Sequence, residues 1–508
     1  MLYPKMNDKR DVYSLNGVWE YCFVSEDYVP TKKNRGGKPM AVPASFNDIV
    51  TDMQEREYSG KVLYEKEFSV PKRADRLYRL RIGDASHKCE VYLNGEKIGE
   101  GINGFYPVDL PLDNLKENNL LSVVIDNRLT AQTFPNGRIK NGKQYIKHDF
   151  FNFTGIHRDV LVYTLPKKHI DDIIIRTVVD GDYEKVAVEL RGEYENACFR
   201  VFDEEGEEVV CSTENVFTIK NPRLWEVMNA YLYTLVVETD TDKYEERFGI
   251  RKVDLKNNRF LVNDKPVYFK GFGLHEDFFL LGRGNHPAVS LRNFECMKWA
   301  NANSFRTSHY PYSEEMLDLA DRYGFLVIDE APAAGMVLWE ECFGENAAFF
   351  KRLEPFARKA NVKIALENLW NWDNEKDCAK IVACSGHEDF RRHLDLLPAD
   401  VFVGCVDTSH AGMKGLETSA VQIIDALGER LGAMHLSDSD YRFDQHWLPF
   451  TMGYNFEDIL AALKRNGYRG DITFEADKFV NRFPLELLPA LARQMAAIGH
   501  YFKNRLEE

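Results

Sequence analysis

Residues 304–328 of this chain read SFRTSHYPYSEEMLDLADRYGFLVI. The stretch predicts a short strand, a helix that Ser313 can cap, and then a second strand. The apolar spacing of its middle places Met316 and Ala320 on one face of the helix, and Gly324 would end it. A strand, a capped helix and a further strand joined by short loops are typical of a parallel α/β barrel.

The same alternation of strands and helices runs from about residue 254 to the end of the chain. Seven strands are predicted, at residues 267–269, 304–306, 325–328, 362–366, 401–406, 433–434 and 472–474. A complete barrel of this type has eight strands, and residues 337–338 are the only candidate for the missing one. The sequence therefore predicts a TIM-type (β/α) barrel over residues 254–508, and leaves open whether it is complete.

The first half of the chain is rich in short strands separated by turn residues at regular spacing. Asn94 and Gly95 lie between two such strands and supply the positive φ angles of a tight hairpin turn. We predict a jelly-roll β-sandwich over residues 1–165 and an immunoglobulin-like β-sandwich over residues 166–253. The fold class is therefore multidomain, β followed by α/β.

Composition and charge exclude several kinds of partner. The 508 residues carry a formal net charge of −15, which argues against a nucleic-acid backbone as the main ligand. No apolar run approaches the roughly 20 residues of a membrane helix, and the N-terminus has no apolar signal core. The nine cysteines form no CxxC pair. We expect a cytoplasmic protein with no nucleic-acid or membrane partner.

Several long motifs in the first two thirds of the chain point to one family. They are residues 15–19 (LNGVW), 42–46 (VPASF), 149–152 (DFFN), 303–312 (NSFRTSHYPY) and 327–330 (VIDE). With these motifs, residues 1 to about 336 resemble glycoside hydrolase family 2, and specifically its β-glucuronidases. The resemblance implies a sugar-binding jelly roll, an immunoglobulin-like domain and the opening strands of a barrel. It also implies a sugar or glycoside substrate, no cofactor and assembly into homo-oligomers.

The resemblance also implies a set of sugar-facing residues. The residues that it would place beside a bound uronic sugar or at the mouth of the barrel are Asp149, His275, His309 and Tyr310. Arg306 and Glu330 follow barrel strands as well, and they fit sugar contacts and buried ion pairs equally well. These positions form the front of a sugar site without its catalytic groups.

The catalytic glutamates of that family are missing from their usual setting. Retaining glycosidases use two carboxyl groups about 5–5.5 Å apart, one as acid/base and one as nucleophile. The match ends just before the strand that would carry the acid/base. Glu367 and Glu475 close predicted strands four and seven, and are therefore the candidate replacements as catalytic residues. We expect hydrolysis to be weak or absent.

The last third of the chain carries a different set of motifs. They are residues 362–368 (VKIALEN), 403–410 (VGCVDTSH), 434–438 (MHLSD) and 467–475 (GYRGDITFE). With these motifs, residues from about 339 to 480 resemble sugar isomerases and epimerases with a xylose-isomerase-like barrel, a superfamily shared with type IV AP endonucleases. The two resemblances predict a barrel of hybrid origin, glycosidase-like over residues 254–336 and isomerase/epimerase-like over residues 337–508.

Four residues of this second part each close a predicted strand, and they are Glu367, Asp407, His435 and Glu475. Carboxylate and imidazole ligands that converge at one end of a barrel suit one divalent cation, Mn²⁺, Mg²⁺ or Zn²⁺. The resemblance implies that the metal would polarise a sugar carbonyl while two glutamates move a proton, and that His410 would contact the substrate. Asp444 and His446 match positions that bind a further zinc in the endonuclease branch.

Four functions stay open at this point. The first is a β-glucuronidase-like glycosidase that needs no cofactor. The second is a metal-dependent sugar isomerase or epimerase. The third is a non-catalytic carbohydrate-binding protein, and the fourth is an accidental fusion of two genes.

Overall fold

The computed structural model describes most of the chain. The described residues are 2–102, 104–130, 133, 135, 137–140, 143–146, 148, 150–177, 183–256, 259–332, 343–373 and 376–507. They form two all-β regions followed by a region of parallel strands and helices. The predicted fold class is confirmed at this level.

The first region is a sandwich of antiparallel strands. Its larger sheet contains, in order, Lys38–Val42, Gly17–Val24, Lys61–Phe68, Asn119–Asp126, Lys88–Leu93 and Glu96–Gly101, and the facing sheet contains Val12–Ser14, Val160–Pro166, Arg76–Ile82 and Val108–Pro111. Two shorter sheets complete it. One contains Ala44–Ser45, Gly155–Ile156 and Ala85–Ser86, and the other contains Gly137–Lys140 and Lys143–Ile146. The predicted hairpin is present, with φ angles of 55° at Asn94 and 88° at Gly95. Trp19, Tyr64 and Phe46 lie in the apolar core between the sheets.

The second region is a smaller sandwich, as the immunoglobulin-like prediction requires. One sheet contains Ile170–Arg176, Lys185–Gly192 and Val216–Thr218, and the other contains Glu208–Ser212, Cys198–Phe202, Tyr233–Glu238 and Lys243–Phe248. A short antiparallel sheet of Val253–Lys256, Arg259–Val262 and Lys265–Pro266 leads from it into the barrel.

The described residues of the third region form seven parallel strands in two sheets. The front sheet consists of β1 (Gly271–Leu274), β2 (Ser304–Thr307) and β3 (Leu326–Ile328), and the back sheet of β4 (Ile364–Glu367), β5 (Phe402–Asp407), β6 (Leu431–Leu436) and β7 (Thr473–Phe474). The longer helices are Pro287–Trp299, Glu314–Tyr323, Phe343–Ala360, His387–Asp395, Ala420–Leu427, Phe456–Arg465 and Leu488–Glu507. As predicted, Ser313 caps Glu314–Tyr323, and Gly324 ends it with a φ of 79°.

Strand β1 begins four residues later than the sequence predicts. The apolar residues 267–269 indicate a strand, but Lys265–Pro266 instead forms a hairpin with Arg259–Val262 around Asn263 and Asp264. The ladder starts at Gly271, where an added Cβ would lie 1.9 Å from the Ser304 carbonyl oxygen. The close approach of β1 and β2 therefore requires a glycine, and the prediction of a strand at residues 267–269 is wrong.

The two sheets meet beside β7 and β1. The Phe269 amide, just before β1, donates a hydrogen bond of 3.4 Å to Asp471 Oδ1, just before β7. Among the described residues no ladder joins β3 to β4. Residues 337–338, the candidate eighth strand, lie outside the described residues. The completeness and the hybrid origin of the barrel stay predictions.

The two sheets also have separate apolar cores. Phe294, Phe305 and Phe325 form the centre of the front core, which Phe105 of the first sandwich joins. The back core is larger, with Phe390 and Phe402 among its fully buried side chains. None of the described helices is long and apolar enough to cross a membrane.

Candidate functional site

The carboxyl ends of the barrel strands carry most of the predicted site residues. Arg306 lies near the end of β2, Glu367 and Asp407 are the last residues of β4 and β5, His435 lies near the end of β6, and Glu475 follows β7. In parallel barrels this end forms the active-site mouth. The strands therefore point side chains from both sheets toward one place.

Glu367, Asp407, His435 and Glu475, the four predicted metal ligands, form one cluster, which we call the acidic cluster. Each offers one ligand atom, and these atoms lie within 4.8 Å of one another. His435 Nδ1 lies 3.3 Å from Glu367 Oε2 and 3.6 Å from Glu475 Oε1. The structure thus brings the four side chains together, although their role stays a prediction.

Asp407 is held rigidly within this cluster. Its Oδ1 caps the short helix Thr408–Ala411 by accepting hydrogen bonds from the amides of Ser409 (2.7 Å) and His410 (3.2 Å). Its Oδ2 is buried and has no hydrogen-bond partner among the described residues. Burial raises the pKa of Asp407 to about 7. One oxygen of this carboxyl group therefore remains available to a cation or a proton.

A second group of ligand-type side chains borders the acidic cluster. Asp407, His410 and His446 can also place three ligand atoms within 4.8 Å of one another. Asp444 lies beside both histidines, 2.7 Å from His446 Nε2 and 3.4 Å from His410 Nε2. Burial opposes a charge on His446, but the nearby Asp444 carboxylate raises its pKa to about 9. The predicted positions Asp444, His446 and His410 therefore lie together.

Arg306 connects the front sheet to the acidic cluster. The sequence left open an ion pair for Arg306 and Glu330, and the structure contains one, but the contact of Arg306 with the cluster was not predicted. Its Nη1 lies 2.8 Å from His435 Nε2, and its guanidinium forms ion pairs with Glu475 and, on its other side, with Glu330. The side chain is only 5% exposed. The placement of Arg306 at the end of β2 could be predicted, but its partners depend on how the two sheets meet.

The positive groups around Glu475 determine its charge. Burial alone would raise the pKa of Glu475, but His435 and Arg306 outweigh burial and hold the pKa well below its usual range. Burial likewise opposes the charge of Glu367, and the nearby His435 keeps its pKa below the ordinary value. Both glutamates are therefore carboxylates at neutral pH.

The predicted sugar-facing residues lie at the front of the same mouth. His275 and His309 have their rings 5.4 Å apart, and the ring of Phe150 lies 6.0 Å from that of His309. Tyr310 is 2% exposed and packs against Phe105, with its hydroxyl 3.4 Å from His275 Nδ1. Tyr310 therefore supports His275 from within the core. Asp149 lies outside the described residues.

Two side chains at the mouth were missed from the sequence. Cys405 can join Glu367 and His435 in a further group of three ligand atoms within 4.8 Å. It precedes Asp407 by two residues on β5, so strand alternation places both on the same side. Phe150 directly follows Asp149, a predicted sugar-facing residue. An aromatic residue next to such a position could have been predicted to lie at the mouth.

Two β-sandwiches followed by a barrel with carboxylates at its mouth define a multidomain fold of the β and α/β class. Three family models match the chain: the family 2 sugar-binding domain over residues 12–166, the family 2 glycosyl hydrolase domain over residues 158–251 and the family 2 TIM-barrel domain over residues 253–382. The chain belongs to glycoside hydrolase family 2.

Named relatives are β-glucuronidases. The β-glucuronidase of Streptococcus agalactiae is 39% identical over 359 residues, which is 66% of this chain and 59% of that protein. A solved β-glucuronidase from an uncultured Clostridium species is 30% identical, with 92% of this chain and 82% of that one covered and a TM-score of 0.72. Ruminococcus gnavus β-glucuronidase in complex with D-glucuronic acid is 30% identical, with 93% and 84% covered and a TM-score of 0.70.

Sequence matches to curated relatives cover only part of those proteins. The chain spans 59%, 62% and 61% of the β-glucuronidases of Streptococcus agalactiae, Paenibacillus borealis and Rattus norvegicus.

Proposed function

We propose that this protein is a retaining glycosidase that acts slowly on β-glucuronides. The observation that carries the proposal is that Glu367 and Glu475 place carboxylate oxygens within 4.8 Å of each other at the mouth of the barrel. This spacing suits the double displacement of retaining glycosidases rather than the wider gap of inverting ones. The names of the relatives, and the D-glucuronic acid bound to one of them, support the choice of sugar.

In this proposal Glu475 is the nucleophile. It is buried, and its charge is held by Arg306 and His435, so it can attack an anomeric carbon without first losing a proton. Glu367 would then protonate the leaving oxygen and later activate water. Because Glu367 is itself ionised in the free protein, few molecules carry the proton that the first step needs. We therefore expect slow turnover.

The test is hydrolysis of an aryl β-glucuronide in the presence of EDTA. We expect slow hydrolysis that the chelator does not affect, with retention at the anomeric carbon followed by NMR. E475Q should reduce the rate by about 10⁴-fold or more, below detection. E65Q, the same change in a buried carboxylate of the first sandwich, is the matched control. An inverted product, or an unchanged rate in E475Q, would contradict the proposal.

A second candidate is the metal-dependent sugar isomerase or epimerase that the motifs of the last third of the chain predicted. The specific observation in its favour is the acidic cluster, whose three carboxylates and one imidazole suit a divalent cation. In that function a bound cation would polarise a sugar carbonyl. However, Arg306 already contacts two of the four side chains, so the residues as placed do not fit a metal, and we assign no catalytic step to one.

Metal content distinguishes the two candidates. The isomerase function requires about one equivalent of divalent metal per chain in the purified protein, or stabilisation by added Mn²⁺. Protein that contains no metal and is not stabilised by Mn²⁺, yet hydrolyses the glucuronide, would leave the glycosidase as the function of this site.

A further inference from the structure

The Arg306 side chain reaches from one half of the barrel into the ligand cluster of the other. It begins on β2 of the front sheet, whereas every member of the acidic cluster comes from the back sheet. Its Nη1 lies 2.8 Å from His435 Nε2, and its Nη2 pairs with Glu475 Oε1. Its Nη2 also lies 3.3 Å from His309 Nδ1. The front sheet thus supplies a fixed positive charge to a negative cluster.

The positive charge of Arg306 neutralises part of the negative charge of the acidic cluster. Carboxylates whose ligand atoms lie within 4.8 Å of one another repel unless positive charge lies among them. Arg306 pairs with Glu475, but Asp407 Oδ2 stays buried with no partner among the described residues. This oxygen is therefore open to a further cation or to a proton.

The same charge obstructs a metal. A divalent ion binds carboxylate oxygens and imidazole nitrogens at about 2.0–2.6 Å, through the lone pairs that face the centre of the cluster. The guanidinium uses Glu475 Oε1 and lies 3.5 Å from His435 Nδ1, the nitrogen that faces Glu367. A divalent ion there would lie close to the guanidinium, and in a buried site the two positive charges would repel strongly.

We propose that the Arg306 guanidinium supplies a fixed positive charge to the acidic cluster and thereby excludes a divalent metal from it. Removing this one charge would allow the four side chains of the acidic cluster to bind a divalent metal. The proposal goes beyond the glycosidase function, because it assigns a binding property to the same residues in the absence of any sugar.

Arg306→Met, which keeps an unbranched apolar side chain in place of the arginine stem but removes the charge, tests the proposal. Binding of Mn²⁺ alone is measured by electron paramagnetic resonance titration of the full chain. We expect R306M to bind one equivalent at least about 100-fold more tightly than the wild type. R306M/E367Q should lose this gain, because Glu367 belongs to the acidic cluster but not to the neighbouring group of Asp407, His410 and His446.

Two further proteins complete the experiment. R283M removes another buried arginine, which pairs with Asp84 away from the cluster, and should bind Mn²⁺ no better than the wild type. R306Q, which keeps hydrogen-bond donors without the charge, replaces R306M if near-ultraviolet circular dichroism shows that R306M is unfolded.

Two results would overturn the proposal. One is tight, stoichiometric Mn²⁺ binding by the wild type that E367Q abolishes, which would show that the metal and Arg306 coexist. The other is a folded R306M or R306Q protein that binds no more Mn²⁺ than the wild type. Neither depends on glucuronide hydrolysis, so failure of the proposed function would be seen separately.

Discussion

The front and back sheets of the barrel differ in both their cores and their charges. The front core of β1–β3 is dominated by aromatic rings and continues into the first sandwich through Phe105. The back core of β4–β7 is larger and contains many aliphatic side chains, such as Ile423 and Leu463. At the mouth, the front sheet contributes the cation of Arg306 and the back sheet the acidic cluster. The two halves are thus complementary in charge while their apolar cores remain separate.

The first prediction breaks the charge contact between the two sheets. R306M should lower the free energy of unfolding by about 3 kcal/mol, because it removes one positive partner of the buried Glu475 and one of the part-exposed Glu330. Adding E475Q should recover part of this loss. Urea denaturation of the wild type, both single variants and the double variant measures the coupling. R283M is the control, because E475Q should not rescue it. Simple additivity of R306M and E475Q would contradict the charge contact.

The second prediction concerns the seam between β7 and β1. Burial raises the pKa of Asp471 to about 6 from an ordinary value of 3.8. Since the folded state holds the proton more tightly than the unfolded state, the wild type loses stability as the pH rises from about 4 to about 6. D471N removes this loss and can still accept from the Phe269 amide.

D471N should therefore be more stable than the wild type by about 2 kcal/mol at pH 8 and nearly equal to it at pH 4. Urea denaturation at the two pH values measures the difference. The same difference in stability at both pH values would show that the charge of Asp471 does not destabilise the folded protein.

The third prediction concerns sugar recognition by the front half. H275N should raise the KM for an aryl β-glucuronide about tenfold, corresponding to about 1.4 kcal/mol, with a smaller effect on kcat. The physical reason is that His275 lies at the mouth beside His309 and is not a member of the acidic cluster. H500N, a change in an exposed histidine of the last helix, is the control. An unchanged KM would show that His275 does not contribute to sugar binding.

The smallest effects come from matched helix caps, one in each half. Ser313 Oγ accepts from the Met316 amide at 3.4 Å in the front half, and Ser419 Oγ accepts from the Gln422 amide at 3.3 Å in the back half. S313A and S419A should each cost about 1 kcal/mol, with the buried Ser313 at least as costly. Thermal denaturation that shows two transitions, with each variant shifting a different one, would demonstrate that the halves unfold separately.

Local patterns predicted much of the fold and of the cluster. Glu367, Asp407, His435 and Glu475 were assigned to strand ends, and because strands of a parallel sheet end at one edge, the structure brings them together. The start of β1 was missed because the contact of Gly271 with Ser304 is between strands and leaves no apolar pattern. The partners of Arg306 in the back sheet were missed for a similar reason, since His435 and Glu475 lie more than a hundred positions from it in the sequence.

The arrangement of the β-ladders has a consequence for how this chain can be divided. Every described strand pair of the barrel lies within residues 271–328 or within residues 364–474. A cut between Pro332 and Phe343 would therefore separate no described hydrogen-bonded strand pair, and each fragment would retain its own apolar core. The described backbone pairing of the barrel is therefore divided into two parts, which are joined by side-chain contacts such as that of Arg306 with Glu475.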